Sequence, residues 1–152
     1  MSKDSQRFDR RVALASVAET EALGGRIAAG LDAGDAVALE GDLGAGKTTL
    51  ARAILRALGV AEEVPSPTFT LVQVYETPRL AVRHYDLYRI ERPEEMDELG
   101  LDEALAEGAA LIEWPERAGD RLPGDALRVA LSLAGDGRTA SLSGPAKWST
   151  HV

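Results

Sequence analysis

The chain of 152 residues is 45% hydrophobic and 28% charged, with 17 basic against 25 acidic side chains and a formal net charge of -8. This composition excludes wholesale disorder and collagen-like repeats and suits one compact domain. The acidity speaks against a protein whose main task is gripping nucleic acid, which needs a basic face, and the absence of cysteine removes disulfides and Cys-based zinc or catalytic sites. No apolar run approaches the ~18–20 residues of a membrane span. Met1–Arg11 has no apolar stretch behind its charges, so a cytoplasmic protein with no secretory signal and no membrane partner is expected.

Taken in chain order, Met1–Asp9 is polar and is expected to fray. Arg11–Ala15 could form a short strand. Ser16 followed by Glu19 fits a capping box, with the hydroxyl on an early helix N–H and the carboxylate reaching back. Ala18, Ala22, Leu23, Ile27 and Leu31 recur at helical spacing, so a helix is predicted there, ending near Gly30–Gly34. Asp35–Glu40 contains the continuous apolar run Ala36 to Leu39, the pattern of a strand buried on both faces. Gly41-Asp-Leu-Gly-Ala-Gly-Lys47-Thr48 follows at once, then Thr49–Leu58 at helical period and Gly59 just past the helix end.

Val64–Thr70 (VPSPTFT) reads as a loop leading into a strand over Phe69–Glu76. Thr77-Pro78 turns the chain and Leu80–Tyr85 returns, giving an antiparallel pair. Pro93 opens a helix over Glu94–Leu99 that Gly100 breaks, and Leu101–Glu107 is a second short helix. Ala109–Glu113 (AALIE) is another strand of the buried type. Ala126–Ala134 and Arg138–Ser143 flank Gly135-Asp136-Gly137 and predict an edge hairpin, with a loose tail from Pro145.

The strand, the glycine-rich turn and the helix together place G-x-x-x-x-G-K-T in the context that its chemistry requires. Glycines let successive N–H groups turn inward into an anion nest, and the helix that follows adds its positive end. The Lys47 ammonium then reaches β- and γ-phosphates, and the Thr48 hydroxyl coordinates Mg²⁺. The expected fold class is α/β, a P-loop NTPase fold with a mostly parallel central sheet flanked by helices and antiparallel hairpins at the edge. ATP is favoured over GTP, because the chain has no asparagine and no lysine in an Asn/Thr-Lys-x-Asp segment. Such a site also needs a carboxylate at a neighbouring strand end to hold Mg²⁺. Glu113, which closes AALIE, is the sharper candidate, and Asp86, which closes a less apolar strand, is the other.

GDLGAGKTT at Gly41–Thr49, SPTFTL at Ser66–Leu71, HYDLYR at His84–Arg89 and LIEWPE at Leu111–Glu116 stand together in one short chain. With these motifs in this order the sequence resembles the TsaE (formerly YjeE) family, small bacterial P-loop ATPases required to make threonylcarbamoyladenosine in transfer RNA. The resemblance covers roughly Arg11 to Ser143. It implies that Gly41, Asp42, Leu43, Gly44, Ala45, Gly46, Lys47, Thr48 and Thr49 hold the ATP phosphates, with Thr48 on Mg²⁺. It further implies a switch-like loop at Ser66–Thr70, metal and catalytic roles for Asp86 and Glu113, and a place near the nucleotide for Trp114. Ser16, at the start of the first helix, and Arg138, in the late hairpin, match segments that approach the base. The domain organisation expected is a disordered tail over 1–10, one ATPase domain over 11–144 and a loose tail over 145–152.

The chemistry so implied is metal-assisted phosphoryl transfer to water by Lys47, the loop amides, Mg²⁺ and a carboxylate. No arginine is assignable as a transition-state finger, so turnover is expected to be weak until a partner completes the site. The resemblance names those partners as the TsaB and TsaD proteins, with transfer RNA met only through their complex. The acidic stretch Glu91–Glu116 is a docking face or, more simply, a solvated helical surface. A small-molecule kinase on the same fold, a non-catalytic nucleotide-dependent binding module and a direct RNA binder are the alternatives. Outside the motifs, His84 is read as a strand residue bonding locally, His151 as a tail residue without a role, and Tyr85 and Tyr88 as packing residues.

Overall fold

A computed structural model describes residues 7–42, 44–61 and 71–152. The predicted strands, and the predicted helices other than the one opened by Pro93, are present; the first strand starts earlier than expected, and Phe69 and Thr70 of the strand expected over Phe69–Glu76 lie outside the described residues. The strands and α-helices are β1 (Arg7–Leu14), α1 (Val17–Gly30), β2 (Ala36–Glu40), α2 (Lys47–Ala57), β3 (Val72–Glu76), β4 (Ala81–Asp86), α3 (Leu101–Glu107), β5 (Gly108–Glu113), β6 (Leu127–Ala134) and β7 (Gly137–Pro145). Among the described residues, Pro93–Glu98, Pro115–Arg121 and Ala146–Thr150 are 3₁₀ segments. The segment opened by Pro93 is therefore a 3₁₀ helix and not an α-helix. Among the described residues, no helix is long and apolar enough to cross a membrane.

The strands form one sheet in the order β1-β7-β6-β2-β5-β4-β3. β2 pairs in parallel with β5 and β6, and β5 with β4, whereas β1·β7, β6·β7 and β3·β4 are antiparallel. The four central strands β6-β2-β5-β4 are thus parallel, as expected, within a sheet that is mixed as a whole. The β6–β7 hairpin is not at the edge, because β1 pairs with β7 along its whole length from Arg7↔Pro145 to Leu14↔Arg138. The chain is therefore ordered into the sheet four residues earlier than the expected start at Arg11. The alternation there is real but masked. Phe8, Val12 and Leu14 share one face, and Phe8 and Val12 pack on the core, yet Arg10 interrupts the apolar set.

Alternation in the central strands divides the core into two layers. Val37 and Leu39 of β2, Leu111 of β5 and Val129 of β6 face α1 and α2, while Ala36, Ala38, Ala110 and Ile112 face α3 and the 3₁₀ segments. On the first face α1 and α2 cross closely at Gly24, where an added Cβ would lie 2.6 Å from that of Ala53. The carboxyl-terminal residues belong to this layer as well. Trp148 is 1% exposed, and the His151 ring lies edge-on to it beneath Gly30 of α1. The loose tail expected from Pro145 is instead a packed cap, anchored by an ion pair from Lys147 to Asp35 at 2.6 Å.

Candidate functional site

The site lies where the carboxyl ends of β2, β4 and β5 meet the amino end of α2. The loop between β2 and α2 is held open by left-handed glycines, with φ of 82° at Gly44 and 106° at Gly46. At Gly41 a side chain is excluded as well, since a Cβ would meet the Leu131 carbonyl oxygen at 2.6 Å. Gly46 caps α2 without a side chain, which leaves the positive end of the helix facing the loop. Leu43 and the Ser66–Thr70 segment, both expected at the site, lie outside the described residues.

Lys47, Asp86 and Glu113 are buried charges, 5%, 5% and 2% exposed. Lys47 Nζ donates to the carbonyls of Gly41 at 2.5 Å and Asp42 at 3.0 Å. It also lies 4.1 Å from the centroid of the Trp114 ring. Burial holds its pKa below the ordinary value, while the nearby carboxylates of Glu113, Glu116, Asp86 and Asp42 pull the other way. The Thr48 hydroxyl donates to Glu113 Oε1 at 2.9 Å. Asp86 and Glu113 are register partners on β4 and β5, so two carboxylates stand side by side on the α2 face of the sheet. They differ in what they hold. Glu113 is bound to α2 through Thr48, whereas Asp86 Oδ1 accepts from Tyr88 N at 3.0 Å and shapes the turn after β4.

Trp114 directly follows β5 and takes a left-handed backbone conformation, φ 57°. That turns its ring back over Lys47, and Tyr88 packs on the outer side with ring centroids 5.0 Å apart. Tyr85, by contrast, is a fully buried packing residue whose hydroxyl donates to the Leu99 carbonyl at 3.0 Å.

On the other flank of the loop, a cavity of about 150 Å³ is lined by Ser16, Val17, Ala45, Thr49, Asp136 and Arg138. Ser16 is also the N-cap of α1, accepting from Glu19 N as the sequence suggested, but the Glu19 carboxylate accepts from Ala15 N, one residue before the cap, so the reciprocal bond of a capping box to the N-cap N–H is not the one formed. Arg138 reaches this cavity, but its guanidinium is committed to the loop itself. It donates to the carbonyls of Ala45 and Gly44, each at 3.1 Å. It therefore braces the glycine-rich backbone from β7, a task that the sequence did not suggest.

His84 is the residue that sequence reasoning missed. It does not bond locally. Its Nε2 lies 2.6 Å from Glu113 Oε2, and the ring is fully buried. The available signal was the two-residue spacing to Asp86, which puts both side chains on one face of β4.

The family model described as "Threonylcarbamoyl adenosine biosynthesis protein TsaE" matches residues 14–140. The tRNA threonylcarbamoyladenosine biosynthesis protein TsaE of Rickettsia bellii is 42% identical over 132 residues, spanning 86% of this chain and 92% of its own. The Bacillus subtilis protein of the same name is 41% identical over 119 residues, 78% of this chain and 74% of its own. The crystal structure of Bacillus subtilis YdiB superposes with a TM-score of 0.75 at 32% identity, covering 92% of this chain and 86% of that one. The chain belongs to the TsaE family of threonylcarbamoyl adenosine biosynthesis proteins.

Proposed function

We propose that this protein is a magnesium-dependent ATPase with a P-loop, working in the synthesis of threonylcarbamoyladenosine in transfer RNA by acting on a TsaB–TsaD complex. The observation that carries this reading is the Thr48–Glu113 pair, hydroxyl to carboxylate at 2.9 Å, beside the buried Lys47 at the start of α2. Two hard oxygens at that spacing fit a shared Mg²⁺. No group of three or more His, Asp or Glu able to hold a metal by itself occurs among the described residues. Thr48 and Glu113 would hold the Mg²⁺, with Asp86 as the adjoining carboxylate. The ion supplies charge neutralisation at the β- and γ-phosphates.

The other roles follow from placement. The loop amides from Gly41 to Thr49 and the positive end of α2 bind phosphate oxygens, and the Lys47 ammonium follows the charge that moves onto them. Glu113, already turned toward the loop by Thr48, orients the attacking water. The cavity between Ser16 and Arg138 would take the base, its walls being partly apolar. Arg138 is held on the loop carbonyls, which supports slow turnover in the isolated chain.

The test is ATP turnover by the protein alone and with a purified TsaB–TsaD pair, wild type beside Glu113→Ala. Slow turnover that rises with the pair and falls by about 100-fold or more in the variant is expected. No response to the pair removes the partner assignment, and an unaffected variant removes Glu113 from the site. An acceptor phosphorylated stoichiometrically with ATP loss would replace the hydrolase by the kinase.

A further inference from the structure

Both oxygens of Glu113 are taken. Oε1 accepts from Thr48 at 2.9 Å, and Oε2 faces His84 Nε2 at 2.6 Å. The second ring nitrogen of His84, Nδ1, is buried and has no hydrogen-bond partner among the described residues. A proton there would be a buried donor without an acceptor, which costs more than an idle lone pair. The ring proton therefore belongs on Nε2, and His84 donates to the carboxylate.

The sheet register explains how they meet. His84 stands opposite Leu111 and Asp86 opposite Glu113, so His84 and Glu113 are diagonal neighbours on the α2 face. A carboxylate held at one oxygen alone keeps a broad terminal torsion. Held at both, it points one way.

We infer that His84 is a positioning residue for Glu113. It grips Oε2 from β4 so that Oε1 stays turned toward Thr48 and toward the place where metal and phosphates would bind. Its effects on rate and on metal affinity rest on the reading above, whereas the hydrogen bond does not.

Three readouts test it together. Nitrogen-15 imidazole spectra of the labelled protein should show a His84 ring protonated at Nε2 and bare at Nδ1, with the Nε2 signal shifting in Glu113→Gln. Steady-state kinetics should show His84→Leu with kcat lower by about tenfold or more and KM for ATP within about twofold. His84→Gln, whose amide can donate from a similar position, should recover most of the loss. Electron paramagnetic resonance should show Mn²⁺ bound about tenfold more weakly by the ADP complex of His84→Leu. In combination with Glu113→Ala, His84→Leu should add nothing further, because it acts through that residue.

A ring protonated at Nδ1, a folded His84→Leu protein with unchanged kcat and Mn²⁺ affinity, or losses that multiply with Glu113→Ala would each overturn the assignment. Should His84→Leu fail to fold, the spectra and His84→Gln decide. If the wild type hydrolyses no ATP, the ATPase reading falls, and the imidazole spectra still decide whether His84 holds Glu113.

Discussion

Lys47 illustrates how a residue can cost stability in order to be placed. Its ammonium loses its proton more readily in the fold than in the unfolded chain, where the ordinary value is 10.5. Its contribution is therefore unfavourable at neutral pH, and that cost is relieved as pH rises through the folded pKa toward 10.5. The loop carbonyls and the Trp114 face compensate part of it, the ring contact by about 0.5–2 kcal/mol. Trp114 carries a cost of its own, since a left-handed backbone at a non-glycine residue costs roughly 1–2 kcal/mol. If phosphates draw Lys47 off the ring, Trp114 emission changes when ATP binds, while Trp148, buried behind α1, gives a constant background. Lys47→Ala should lose that change and weaken ATP by about 10–100-fold, the worth of one charge-assisted hydrogen bond. Calorimetric binding with no change in wild-type emission would show that Lys47 never leaves the ring.

At the scale of elements, the α1–α2 crossing depends on one missing methyl group. In an open helix Gly→Ala gains about 1 kcal/mol. At Gly24 the new Cβ would overlap Ala53, so Gly24→Ala should instead lose about 1–3 kcal/mol and lower Tm by about 2–4 °C for each. A raised Tm would mean that the two helices slide apart freely. The 3₁₀ segment from Pro93 is held by Glu95, whose carboxylate accepts from the backbone N–H of Arg92 and Glu91. Those bonds hold its pKa below the ordinary 4.5. Their contribution is present above pH 4.5 and is lost as pH falls through the folded pKa. Glu95→Ala should therefore be less stable than wild type in urea at pH 7, with the gap closing on acidification. A gap that persists at pH 3 would mean that packing, and not charge, is what Glu95 supplies. A charge-reversal test of the acidic face is better made at Glu94 and Glu98, because altering Glu95 unties this cap.

For the molecule as a whole, the acidic stretch is less bare than its sequence suggests. Arg83 approaches Glu103 and Glu107 within 4 Å, and Arg121 engages Glu94 and Asp97, so arginines outside the stretch answer several of its charges. These pairs are largely exposed and contribute little to stability singly. The tail contributes more. Trp148→Ala should cost about 3–5 kcal/mol and shift the urea midpoint accordingly. A change below about 0.5 kcal/mol would return the tail to the loose state expected from its sequence.

What was legible in the sequence is what depends on neighbours along the chain. The helix and strand periods, the N-cap at Ser16 and the G-x-x-x-x-G-K-T loop all rest on residues within a few positions of one another. The Glu113 carboxylate was legible too, because an apolar run closed by an acid marks a strand end at the sheet rim. Four features were decided only in three dimensions. His84 meets Glu113 across two strands, Arg138 braces a loop far from it in sequence, β1 closes the sheet against β7, and Trp148 packs beneath Gly30. Each joins segments whose separation no local period encodes, and each exists only because sheet register and helix packing bring the two sides within a few ångströms.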